Sequence, residues 1–283
     1  MTSLRRLAFA LGTITFSVIA LSASSTASAP LQLVGGGKGG GTPADVLATV
    51  PTPLFSKPAK VTALTKTWTN LAFVAMGGTD NLTKISRVDA TFEFENPAVK
   101  MDLEISAGND GSARIIRTVE CLNSKSPKEE VTISIPAKSS TISAIDKNGT
   151  QEFEASDETL ATLKRVADMW NPMLTALGQF EEIERVEPAV YGGVACNALV
   201  LAKPRLPGLQ SGKLYLDAAT NLPVGYETNV VRDIVISGQS TILEWQTESS
   251  IKVPKMIRLE GPDGVTDLSI KQVKLTLVGG AVS

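Results

Sequence analysis

The side chains able to do chemistry in this chain are carboxylates and two thiols, and no imidazole is present to activate them. Its 283 residues contain no histidine, which excludes Ser-His-Asp and Cys-His nucleophiles, histidine acid-base catalysis and the usual zinc sites together. Acidic pairs occur at Glu129-Glu130 and Glu181-Glu182, and alternate acids line an early segment at Asp89, Glu93 and Glu95. Glycosidase chemistry needs two carboxylates facing one another across a sugar. Nothing around these acids supplies that arrangement, and a solvated strand face accounts for them. Asp146-Lys147-Asn148-Gly149 holds a fragment of a calcium loop but lacks the remaining ligand spacing and the closing glutamate, so it reads as a hairpin turn. Cys121 and Cys196 are the only cysteines, and neither has a motif to make it a nucleophile. An even pair in an exported protein permits a disulfide. Both fall in predicted strands, one in each half, so the alternatives are a bridge tying the halves together or two buried free thiols. These residue types imply no enzyme, no metal and no cofactor.

What remains is apolar surface. Phe92, Phe94, Met101, Leu214, Leu216 and Tyr226 fall on the inward face of predicted strands, and Trp170 and Leu174 on the stripe of a predicted helix. Such a face is either a packed core or the wall of a ligand cavity. These eight residues are the candidate ligand contacts.

The elements that must position them are mostly strands. From Ser86 the apolar period is two: Val88, Ala90, Phe92 and Phe94 alternate with Asp89, Thr91, Glu93 and Glu95, and Val99, Met101, Leu103 and Ile105 with Lys100, Asp102 and Glu104. That is a half-buried antiparallel sheet. Asn109-Asp110-Gly111 and Asn148-Gly149 are hairpin turns, and strands are predicted at 113–121, 130–135, 140–146 and 151–154. The second half repeats the pattern at 183–187, 194–202, 241–248, 252–260 and 265–277. The hairpin Lys213–Glu227 is the most explicit: Leu214 and Leu216 share one strand face, and Leu222, Val224 and Tyr226 share a face of the next. Asp217 caps its turn, and Asn221 tolerates a left-handed backbone. The fold class is mainly β, about eleven antiparallel strands with helices before and between them.

Two long helices and a short one are predicted. One spans 59–76, with an apolar stripe of Val61, Leu64, Trp68, Leu71, Phe73 and Val74 and a stop at Gly77-Gly78, followed by a short helix capped by Thr79. The other runs from the Ser156 cap to Leu177, kinked at Pro172 and ended by Gly178.

Residues 1–29 have the anatomy of a secretory signal peptide: Arg5 and Arg6, an apolar run 7–21, then small residues ending at Ala27-Ser28-Ala29. Cleavage after Ala27 is the rival site, because Pro30 is unfavourable directly after Ala29. The run of about 15 apolar residues is short of the roughly 20 that span a bilayer. Residues 30–57, with Gly35–Gly41 and several prolines, form a flexible linker, and 58–283 one domain. The formal charge is −2, or −4 without the leader's two arginines, so nucleic acid is not an expected partner.

The order of elements, together with Ala75–Ile85, Tyr191-Gly-Gly-Val-Ala-Cys196, Leu214–Pro223 and Ile251–Ile257, resembles the LolA-like group of outer-membrane lipoprotein-sorting and related periplasmic proteins. The resemblance covers about residues 58–280. It implies that the strands curl as an incomplete barrel, with helices on or plugging its concave face as a lid over an apolar cavity that takes a lipid or a lipoprotein acyl chain; with the leader, the expectation is a periplasmic, non-enzymatic monomer with peripheral contact at the membrane. It also implies an arginine on an early strand that helps hold the lid, a region where Arg87 and Arg114 lie. The alternative is an envelope sensor using the same fold with a protein partner.

Overall fold

Alternating polarity along the chain produces a sheet that is greasy on one side, and the computed structural model places every strand in a single sheet. It describes residues 60–95, 99–123, 127–137, 140–155, 160, 163, 166–205, 209–231, 235–261 and 264–278. The expected leader, the linker and the Ser156 cap lie outside the described residues.

The first meander comprises β2 (Ile85–Glu95), β3 (Val99–Gly108), β4 (Ala113–Cys121), β5 (Glu129–Ile135), β6 (Thr141–Asp146) and β7 (Gly149–Glu154). The second comprises β8 (Phe180–Tyr191), β9 (Val194–Pro204), β10 (Leu209–Asp217), β11 (Pro223–Val231), β12 (Val235–Glu248), β13 (Ile251–Gly261) and β14 (Gly264–Leu277). Consecutive strands in each meander pair antiparallel, and the last strand pairs with the first: β14 lies against β2, with Leu275 opposite Val88 and Ile270 opposite Phe92. A two-residue strand, β1 (Lys60–Val61), adds parallel to β8. The order is β1-β8-β9-β10-β11-β12-β13-β14-β2-β3-β4-β5-β6-β7. With β7 and β1 as unpaired ends the barrel stays open. The fourteen strands exceed the expected eleven; one of them, β1, is too short to carry a period.

The inward residues of β2 and β3 are those the alternation predicts, with Val88, Ala90, Phe92, Leu103 and Ile105 all buried. They join the helices in one core.

Helix α1 (Ala63–Ala75) starts at a reciprocal cap. The Thr65 amide donates to Thr62 Oγ1 at 3.3 Å and the Thr62 amide to Thr65 Oγ1 at 2.8 Å. Its buried face is Thr65, Thr69, Ala72, Phe73 and Met76, which corrects the predicted stripe: Leu71 and Val74 are 39% and 64% exposed. The reason is that Thr69 Oγ1 donates to the Thr65 carbonyl at 2.8 Å, so a threonine satisfied within its own helix packs as an apolar residue. At its end Gly77 has φ 122°, and a Cβ there would sit 2.5 Å from the Ser250 carbonyl oxygen. That close approach lets the Lys252 amide donate to Met76 O at 2.8 Å. The short α2 (Thr79–Thr83) takes Gly78 as its cap, so Thr79 is its first helical residue.

The covering segment between the meanders is two pieces, not one kinked helix. Leu160, Leu163, Val166 and Ala167 have helical backbone, a turn follows at Asp168–Trp170, and α3 (Pro172–Gly178) begins anew. Proline is suited to the first turn of a helix, where no partner for its missing N–H is needed. Asn171 Oδ1 accepts from the Met173 and Leu174 amides at 3.0 and 3.2 Å. Gly178 is the last helical residue, not a stop beyond it.

A cleft at the edge of the helical cover

α3 presents Met173, Leu174, Ala176 and Leu177 to the concave face, all buried, and lies against β8, β10 and β11. Few polar bonds tie it there. Gln179, 1% exposed, accepts from the Tyr226 hydroxyl on β11 at 2.5 Å, and its carbonyl accepts from the Arg205 amide at 2.8 Å. Within the cover, Thr175 Oγ1 donates to Asn171 O at 2.9 Å. Trp170 Nε1 and Asn171 Nδ2 are buried without a hydrogen-bond partner among the described residues. Each such group costs about 1–3 kcal/mol relative to hydration. The cover is therefore seated by apolar packing against a polar penalty.

Where the cover stops, a cleft opens toward β11–β14. Met169, Pro172 and Gln179 form one wall, and Tyr226, Ile257, Leu259 and Leu268 the other. Its volume is about 70 Å³, well under the roughly 300 Å³ at which ligand pockets begin.

Of the eight predicted contact residues, only Tyr226 lines the cleft. Phe92, Trp170, Leu174, Leu214 and Leu216 are buried in one cluster, with Phe94 and Tyr226 packed against it, and Met101 is buried on the same side of β3. Val224 does not share Tyr226's face. An irregular register sets Tyr215 opposite Gly225 and Leu216 opposite Pro223, and this bulge turns Val224 to the outer surface, against Tyr191, Cys196, Ala198 and Tyr215. A period of two across a bulge misassigns one residue. The Asp217 cap is as expected: the Ala219 and Thr220 amides donate to its Oδ1 at 2.8 and 2.7 Å, and Asn221 has φ 60°.

Sequence reasoning missed Met169, Gln179, Ile257, Leu259 and Leu268, which only packing assembles. It also missed Arg117, which period two could have found, since Arg117 shares the inner face of β4 with Ala113 and Ile115. Arg117 is 5% exposed, and burial pulls its guanidinium below the ordinary arginine range, partly offset by Glu129. Arg87 and Arg114 both stand on the outer face; the inward arginine of the early strands is Arg117.

Cys121 is exposed at the end of β4 and Cys196 is buried in β9, and both are free. Seven strands lie between theirs in the sheet, so the structure does not bring the thiols together. The acidic pairs face solvent, with Glu129 bound to Lys147 at 2.9 Å and Glu182 to Lys203 at 2.8 Å. No group of three or more metal-ligating acids or thiols occurs among the described residues. No described helix is long and apolar enough to cross a membrane.

No family model matches the sequence, and no curated protein does. Among solved structures the chain is similar to a DUF1329 family protein from Desulfovibrio piger, at 9% identity and TM-score 0.45 over 78% of this chain and 96% of that one. It is similar to a putative outer membrane lipoprotein-sorting protein domain from Vibrio parahaemolyticus, at 10% identity and TM-score 0.43 over 70% and 88%. A LolA superfamily protein from Nitrosomonas europaea is similar at 12% identity and TM-score 0.40 over 68% and 86%.

Proposed function

We propose that this chain is an exported, non-enzymatic binding protein whose domain, following a leader (1–29) and linker (30–57), takes a lipid or a lipoprotein acyl chain against the concave face of its sheet. The observation that carries the reading is the cover. It masks a continuous apolar face through packing that lacks direction, is tied to β11 by the Tyr226–Gln179 bond, and ends at an apolar cleft. An acyl chain replaces such packing like for like, because burial of apolar area is indifferent to which hydrocarbon supplies it. The cleft at about 70 Å³ is the entry, and the volume is created as Met169, Met173 and Leu174 lift. Phe92, Leu214, Leu216 and Tyr226 then become ligand contacts.

The test is titration of the full chain with the fluorescent fatty acid cis-parinaric acid, alongside native mass spectrometry of protein purified from its own envelope. Saturable binding that Leu259→Glu weakens supports the reading. A chain that stays bare and unresponsive, even when Gln179→Ala loosens the cover, refutes it. The filled interior favours a second reading, an interaction module with a protein partner in the envelope. Crosslinking in intact cells separates the two: a sensor traps one stoichiometric partner, a carrier many acylated ones.

A further inference from the structure

The outer face of the sheet, away from the helices, carries a polar dish built by strand register. Lys274, Asp89, Ser106 and Arg114 stand directly opposite one another across β14, β2, β3 and β4. Alternation puts Arg87, Thr91 and Glu104 on the same face. Short side chains at the centre, Ser106 and Thr91, lie between long ones at the rim, and the dish so formed is open to solvent with a volume of about 530 Å³.

Its charges are not equivalent. Arg87 Nε lies 3.1 Å from both Asp89 oxygens, Ser106 Oγ donates to Asp89 Oδ1 at 2.6 Å, and the Arg87 guanidinium also reaches Ser106. Burial would raise the Asp89 carboxyl, but the bonds from Ser106 and Arg87, with the Lys274 charge, hold it below its usual range. Asp89 thus serves to orient Arg87 over Ser106. Arg114, across the ladder from Ser106 and Ser134, forms no ion pair among the described residues, and neither does Glu104 beside it. Three cations and two carboxylates line the dish, and Asp110 at its edge also attracts Arg87; with Arg87 and Lys274 drawn to Asp89, Arg114 is the cation left to meet an added anion.

We propose that this dish binds a phosphoryl group carried on a hydroxyl-rich headgroup. The phosphate oxygens sit between Arg87 and Arg114 above Ser106, because two planar guanidinium groups match an oxyanion with several acceptors. One phosphate leaves most of the volume empty, and the remainder, lined by Thr91, Glu104 and Gln272, suits hydroxyl groups. A lipid headgroup and a soluble sugar phosphate present the same chemistry. The site is independent of the concave face and stands whether or not that face takes an acyl chain.

The experiment titrates the full chain with glucose 6-phosphate, glucose and inorganic phosphate. It then cosediments the chain with phosphatidylcholine vesicles with and without phosphatidylinositol. Glucose 6-phosphate is expected to bind at least about ten-fold tighter than glucose or phosphate alone, the scale of one charge-assisted bond pair. Arg114→Gln is expected to remove about that factor with no change in Tm, and the control Lys255→Gln, remote on β13, none. Cosedimentation that needs phosphatidylinositol and Arg114 assigns the ligand to a lipid headgroup; glucose 6-phosphate binding without vesicle association assigns it to a soluble phosphosugar. Absence of binding by every probe, binding indifferent to both Arg114→Gln and Arg87→Gln, or phosphate binding as tightly as glucose 6-phosphate overturns the proposal.

Discussion

Tyr226→Phe removes one oxygen, and its effect is worked from a single bond. The Tyr226 hydroxyl donates to Gln179 Oε1 at 2.5 Å, and Gln179 is 1% exposed, so without that hydroxyl the Gln179 oxygen is left buried with no partner in β11. The penalty for such a group is about 1–3 kcal/mol, and it falls on the state in which the cover is seated, since lifting α3 returns Gln179 to water. The opening equilibrium should therefore rise by a factor of about 5 to 150. The assay is hydrogen exchange of the backbone amides of residues 173–179, read against amides of the central β14–β2 pair, whose exchange reports global unfolding. The cover amides are expected to lose protection by that factor while the central amides change no more than the loss of global stability requires. A double-mutant cycle with Gln179→Ala should show coupling, because removing both partners leaves no orphan. Additive effects, or protection lost equally in cover and sheet, would refute the claim that this bond is the latch between them.

Four further outcomes follow from particular contacts. Gly225→Ala would place a Cβ 2.0 Å from Tyr191 Cε1, so the ring must leave its 4.3 Å stack on Tyr215; near-ultraviolet circular dichroism should change, with stability lower by about 1–3 kcal/mol. Phe92→Ala empties a fully buried site in the core and should cost about 3–5 kcal/mol in urea denaturation; a loss below 1 kcal/mol would mean the site is not packed as described. The Thr220 amide first, with help from the Ala219 amide and the Thr220 hydroxyl, holds the Asp217 carboxyl below its usual range against the opposing effect of burial. A depressed carboxylate contributes above its unfolded value of about 3.9 and is lost as pH falls through its folded value. Asp217→Asn should therefore flatten the acid limb of the stability profile below about pH 4, and NMR titration checks the carboxyl directly. Thiol titration without reductant should find Cys121 reactive in the native protein and Cys196 only after unfolding, since burial also raises the Cys196 thiol; failure to recover both in denaturant would indicate a bridge.

Much of the sheet was legible because alternation is a local property. Phe92 and Leu103 lie inward because one-residue steps in a strand reverse the side chain, whatever the rest of the chain does. The same rule applied to β4 would have drawn attention to Arg117. It failed at Val224, where a bulge shifts the period, and along α1, where two stripes compete. Trp68, Leu71 and Val74 are the greasier stripe, yet the face carrying Thr65 and Thr69 is buried, because threonines bonded to their own helix lose their polarity. Pro172 was misread for a related reason: a proline after Asn reads equally as an interruption or as a beginning, and the Asn171 cap decides it.

The strand periods, the turn chemistry of Asp217 and Asn221, and the exclusion of histidine-dependent catalysis depend on residue type and near neighbours, so they can be read from the chain alone. The folded chain is needed to see that β14 pairs with β2, that Gln179 meets Tyr226, and that Leu259 and Met169 face one cleft. It alone brings Arg87, Arg114 and Lys274 to one dish. Those arrangements join residues far apart in the chain through cross-strand register and the curl of the sheet, and neither leaves a trace in local spacing.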